Sequence, residues 1–151
     1  MMNPFDLHNA LTARHAQHVV LVHFPIALFI VGVAFDAAAL WKNRRAFADA
    51  SYFNLSVAAL STIPVVATGI LAWQFQLEGQ ALKGILRMHL IFGLLSSLAI
   101  WAAWTLQFLA RRKDTFPISA NYRLAVELAG VVLISMTGHL GGFLSGVNGG
   151  P

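Results

Sequence analysis

Val19-Val20-Leu21-Val22-His23-Phe24-Pro25-Ile26-Ala27-Leu28-Phe29-Ile30-Val31-Gly32-Val33-Ala34-Phe35-Asp36-Ala37-Ala38-Ala39-Leu40 is a run of 22 residues with one carboxylate and neither Lys nor Arg. The hydrocarbon core of a bilayer needs about 20 apolar residues in a helix, so this run reads as a membrane span. Three more stretches meet the same criterion: Tyr52–Phe75, Met88–Leu109 and Leu124–Leu144. The breaks between them are short and polar, Lys42-Asn43-Arg44-Arg45, Gln76-Leu77-Glu78-Gly79-Gln80 and Arg111-Arg112-Lys113-Asp114. Short connections make consecutive helices antiparallel neighbours. The fold class is therefore all-α: an integral membrane four-helix bundle running up-down-up-down.

Composition agrees. Of 151 residues, 58% are hydrophobic and 11% charged, with a mean hydropathy of +0.68. Soluble domains carry roughly 25% charged residues, so a soluble enzyme, a disordered tail and a nucleic-acid binder are all disfavoured. Cysteine is absent, which removes disulfides, thiolate metal sites, cysteine nucleophiles, covalent haem attachment and iron–sulfur ligation. There is no Ser/His/Asp arrangement, phosphate loop or HExxH, so a non-catalytic subunit is favoured over an enzyme.

The segment 1–18 reads as an N-terminal interfacial helix, with Asn3 as N-cap, Pro4 in the first turn and Asp6 at the positive end of the dipole. The four-span bundle occupies 19–144, and 145–151 reads as a flexible tail. About eighteen residues precede the first span, and that span carries Pro25 and Asp36; both features read against a cleaved signal peptide. Lys42, Arg44, Arg45, Arg111, Arg112, Lys113 and Arg123 flank the first and third connections, against Arg14, Lys83 and Arg87 on the other side. Basic loops stay cytoplasmic. The expectation is a multi-pass protein of a bacterial inner membrane with both termini periplasmic.

The histidines carry the functional reading. His8, His15, His18 and His23 precede or open the first span, His89 opens the third and His139 lies near the end of the fourth. All fall on the outer side. His23 lies roughly 6 Å and His139 roughly 7–8 Å inside their spans, and three helices thus bring His23, His89 and His139 to one level. Polar side chains in a membrane are costly and tend to be functional. A membrane histidine can also do no more than hydrogen-bond a neighbouring helix. Three imidazoles could hold copper or zinc; haem b needs one or two axial histidines and a slot between helices. Gly69, Gly93 and Gly138, with Gly141 and Gly142, are small residues at the same level and would open such a slot, or else serve plain helix packing. Met88 and Met136 are weaker candidates for axial ligands. Asp36 and Glu127 lie near the cytoplasmic end, where Arg44, Arg45 or Arg123 could pair with them; a proton relay from Asp36 to the histidines is the other reading.

His23-Phe24-Pro25-Ile26-Ala27-Leu28 and Thr137-Gly138-His139-Leu140-Gly141-Gly142, with Asp36 and the His89 region, resemble the bacterial four-helix membrane proteins catalogued as domain of unknown function 2231. The resemblance spans roughly residues 15–147. It implies a four-span inner-membrane domain with no assigned activity. Relatives are sometimes joined to, or encoded beside, c-type cytochrome or Rieske-type modules, which implies a redox setting. The matching positions are His23, Asp36, His89 and His139, with His18 a looser match. Relatives often carry a further His after the paired glycines, where this chain has Ser145-Gly146-Val147-Asn148.

The expected function is electron transfer by a membrane subunit holding haem b near the outer face, with His23, His89 and His139 as ligand candidates and His18 in reserve. Its partners would be the lipid bilayer and a periplasmic c-type cytochrome, a Rieske-type protein or quinol; a homo-oligomer is open. The alternatives are an anchor subunit of a redox complex without its own cofactor, and a copper or zinc protein using His23, His89 and His139. The charge asymmetry generates the first prediction. A reporter active only in the periplasm should give signal when fused after Pro151 and none after Lys113; the reverse pattern would place the histidines at the cytoplasmic face.

Overall fold

The computed structural model describes residues 14–76, 78–79, 81–112 and 118–145. Four helices account for nearly all of them: α1 (Arg14–Lys42), α2 (Arg45–Gln76), α3 (Gly84–Ala110) and α4 (Ala120–Leu144). No strand occurs among the described residues. Their membrane-length parts run 26, 31, 27 and 25 residues, roughly 38–47 Å at 1.5 Å per residue. That exceeds a hydrocarbon core of about 30 Å and leaves room for tilt and for turns at the interface.

α1 includes Arg14 to His18, which the sequence reading places before the membrane. The rest of the expected interfacial helix lies outside the described residues, as do residues 146–151 of the tail. Only Asn43 and Arg44 separate α1 from α2. The reversal is possible because Asn43 takes the left-handed conformation, φ 49°, which asparagine tolerates better than other residues with a side chain.

α1 packs mainly on α2 and α3 on α4; α2 meets α3 and α1 meets α4, closing the bundle. The buried centre is small: Phe29 and Val33 of α1, Leu55, Ala58 and Ala59 of α2, Ile100 and Ala103 of α3, Ile134 of α4. Phe29 is fully buried and its ring lies over Gly130, where a Cβ would come 2.8 Å from Cζ. A glycine is therefore needed for α4 to approach α1. Phe24, Phe53, Leu60, Ile63, Leu98 and Val132 are all exposed. Helices apolar on every side, with large side chains outward, are built to face lipid.

Hydrocarbon supplies no hydrogen-bond partner, so polar side chains turn inward and fasten the helices. The indole N–H of Trp101 donates to Thr62 Oγ1 and that of Trp104 to Ser56 Oγ, each at 3.0 Å, tying α3 to α2. Ser96 and Thr137 share a hydroxyl–hydroxyl bond of 2.8 Å between α3 and α4. Gly130→Ala should lower stability by about 1–3 kcal/mol, the usual cost of overpacking. Leu98→Ala, on the exposed face, should change it by less than about 0.5 kcal/mol. Thermal unfolding in detergent separates the two, and equal melting temperatures would show that Phe29 does not rest on Gly130.

Candidate functional site

His18 stands one turn inside α1, and its ring reaches across to the last turns of α2. Its Nδ1 lies 3.1 Å from the carbonyl oxygen of Val65 and 3.2 Å from Thr68 Oγ1. Thr68 donates its own proton to the carbonyls of Pro64 and Val65, so its oxygen is an acceptor here. A carbonyl accepts only, so Nδ1 carries a proton, and in the neutral ring the lone pair is on Nε2. Gly69 makes this placement possible, since a Cβ there would sit 2.9 Å from His18 Cε1.

His89 repeats the arrangement on the other helix pair. Its Nδ1 donates to the carbonyl oxygen of Thr137 on α4 at 3.2 Å, which again leaves the neutral ring's lone pair on Nε2. Gly141 lies beside it, where a Cβ would come 3.2 Å from Cε1. The His18 and His89 rings are neighbours, with centroids 6.5 Å apart and planes at 87°, edge to face.

A cavity of about 650 Å³ opens beside this pair, with His18, His89, Trp73, Gly138 and Gly141 in its wall. A smaller hollow of about 150 Å³ shares His18, Gly69 and His89 and reaches Thr62, Ser96 and Ile100 at mid-bundle. Small-molecule and cofactor sites usually measure about 300–1,000 Å³ and combine apolar walls with a few placed polar groups.

The structure distributes the sequence candidates unevenly. His18, the reserve, and His89 form the neighbouring pair. His23 lines the cavity but is exposed, and its Nδ1 donates to Val19 of its own helix at 2.7 Å. His139 is exposed and packs edge-on to Phe143, centroids 5.0 Å apart; it lines neither cavity. Among the described residues no three His, Asp or Glu side chains converge as metal ligands. Met88 and Met136 are exposed. His8 lies outside the described residues, as does the side chain of His15. Of the glycines named from the sequence, Gly69 and Gly141 make tight approaches to the histidine rings; a Cβ on Gly93 would make ordinary contact at 3.8 Å with Thr137, and one on Gly138 would meet nothing within 4 Å.

Matched depth was a sound criterion but incomplete, because a helix turns 100° per residue. His18 shares a face with Pro25, Phe29, Val33 and Asp36, all buried; His23 is rotated about 140° from it. His139 is likewise about 200° from Thr137. The angle was the missing signal. The carbonyl acceptors at Val65 and Thr137 carry no side-chain signature at all.

Comparison with known proteins adds a family. The family described as Predicted membrane protein (DUF2231) matches residues 14–149. No curated protein and no solved structure matches the chain.

The tautomers can be measured. Nitrogen NMR of histidine-labelled protein should report His18 and His89 as neutral rings protonated at Nδ1. Gly69→Ala should shift the His18 resonances and leave those of His139 in place. Nε2-protonated rings at both positions would contradict the hydrogen bonds described.

Proposed function

The chain belongs to the DUF2231 family of predicted membrane proteins, and we propose that it carries electrons in the membrane by holding one haem b between His18 and His89. The observation that carries this reading is the neighbouring imidazole pair from two helices, each ring anchored by a carbonyl. A metal–imidazole bond of about 2 Å, plus roughly 1 Å from nitrogen to ring centre, separates two trans imidazole centroids by about 6 Å. The rings here stand 6.5 Å apart. Each has its Nδ1–H fixed by a backbone carbonyl, the usual way in which a ligating histidine is oriented and its tautomer set.

Ligand number favours haem over zinc. Structural zinc takes four protein ligands and catalytic zinc three, and no such third group converges among the described residues. A porphyrin brings four nitrogens and asks the protein for only two. When bound, haem supplies a one-electron redox centre. The residues of the chain do the rest. His18 and His89 would provide the axial lone pairs, Val65 and Thr137 hold the rings, and Gly69 and Gly141 let the backbones close on them. Val22, Ile26 and Leu86 keep the cavity wall apolar.

The cavity lies at the end of the bundle opposite Lys42, Arg44, Arg45, Arg111 and Arg112. With basic residues cytoplasmic, it faces the periplasm of a bacterial inner membrane. A periplasmic c-type cytochrome, a Rieske-type protein or quinol could then exchange electrons with it.

The test is haem content by absorption, oxidised and dithionite-reduced, in protein made with ample haem supply. The wild type should show a Soret band and a sharp reduced α band. His18→Ala and His89→Ala should each lose most of the bound haem, whereas His23→Ala and His139→Ala should retain it. A colourless wild type would overturn the proposal and leave an anchor subunit without its own cofactor. Equal retention in all four variants would overturn the ligand assignment.

A further inference from the structure

The same helix faces carry a second polar layer. Asp36 follows His18 by 18 residues and Gln107 follows His89 by 18, five turns further along each helix, about 27 Å. Four side chains from three helices form one chain there. Arg123 of α4 donates from Nη2 to Asp36 Oδ1 and from Nη1 to Gln107 Oε1, each at 3.4 Å. Gln107 donates from Nε2 to Glu127 Oε1 at 3.1 Å. Asp36 and Gln107 are 1% exposed and Glu127 is 0% exposed.

Of the basic residues the sequence offered, Arg123 is the partner. Arg45 lies 3.9 Å from Asp49 instead, and Arg44 is exposed. Two carboxylates thus join one guanidinium, Asp36 directly and Glu127 through Gln107. Neither Asp36 Oδ2 nor Glu127 Oε2 has a hydrogen-bond partner. On α2, at a similar depth, Ser51 Oγ is also buried and without a partner. Among the described residues, Asp49 of α2 takes Arg111 at 2.9 Å on the exposed rim, and Lys42 of α1 lies over Trp41.

An uncompensated anion is strongly disfavoured in such a place. A metal cation would need six or more oxygen ligands, and Arg123 already occupies the position a cation would take. A proton needs neither, and it turns an acceptor into a donor. We propose that Asp36 and Glu127 share one proton, making this layer a proton-binding site inside the membrane-spanning bundle. The site stands on its own residues, whatever occupies the cavity at the other end.

The experiment is infrared spectroscopy of the full chain in lipid vesicles at neutral pH, without added metal. The unaltered protein should show the carbonyl stretch of a protonated carboxyl, shifted down in D₂O. Glu127→Gln and Asp36→Asn should each abolish it, because the one remaining carboxylate then ionises against Arg123. Absence of the band in the unaltered protein overturns the proposal before any variant is made. Survival of the band in both variants places the proton elsewhere. Loss in one variant alone assigns it to a single acid and overturns the sharing. A band displaced by sodium would mean that the site takes a metal cation and not a proton.

Discussion

Hydrocarbon has no hydrogen-bonding capacity, and the organisation of the bundle follows from that constraint. A soluble bundle hides apolar side chains; this one exposes Phe53, Leu60 and Leu98 and hides its polar ones. Most polar groups turned inward find a partner on another helix or on their own backbone. Thr62 and Ser56 accept from Trp101 and Trp104, Thr137 bonds Ser96, and the two inward histidines take carbonyls. These contacts fix which face of each helix points inward. The apolar core alone would not, since the helices are apolar all round.

The result is two polar layers joined by a narrow apolar waist. Phe29 fills the waist against Gly130, with Leu55, Ile100 and Ile134 around it. One layer holds two histidine rings beside a cavity. The other holds Asp36, Gln107, Arg123 and Glu127 in a buried chain, two carboxylates to one guanidinium. The first is where we propose a haem, the second where we propose a proton.

Fold and span positions were legible in the sequence because apolar length is decisive in a membrane. Val19–Leu40 and its three counterparts fall within α1 to α4, and the short polar breaks became the turns. The level of the site was legible too, from His18, His23, His89 and His139. Its membership was not. Depth is read by counting along a helix, whereas convergence also requires the angle around it: His23 and His139 match in depth but are exposed, His23 lining the cavity and His139 outside it. Gly138 misled for the same reason: it stands beside His139 in sequence, yet Gly141 is the residue against the His89 ring. The partner of Asp36 was narrowed to three arginines; choosing Arg123 required the α1–α4 contact, which no local pattern encodes.

The central proposal is that His18 and His89 would together hold one haem iron, their ring planes standing at 87° in the structure. Axial imidazole geometry sets the electronic state of the ferric ion, so electron paramagnetic resonance of the oxidised protein tests the claim most directly. The account predicts a low-spin signal with the strong anisotropy that crossed imidazole planes produce, lost in His18→Ala and in His89→Ala. A high-spin signal, or a low-spin signal unchanged in both variants, would contradict it.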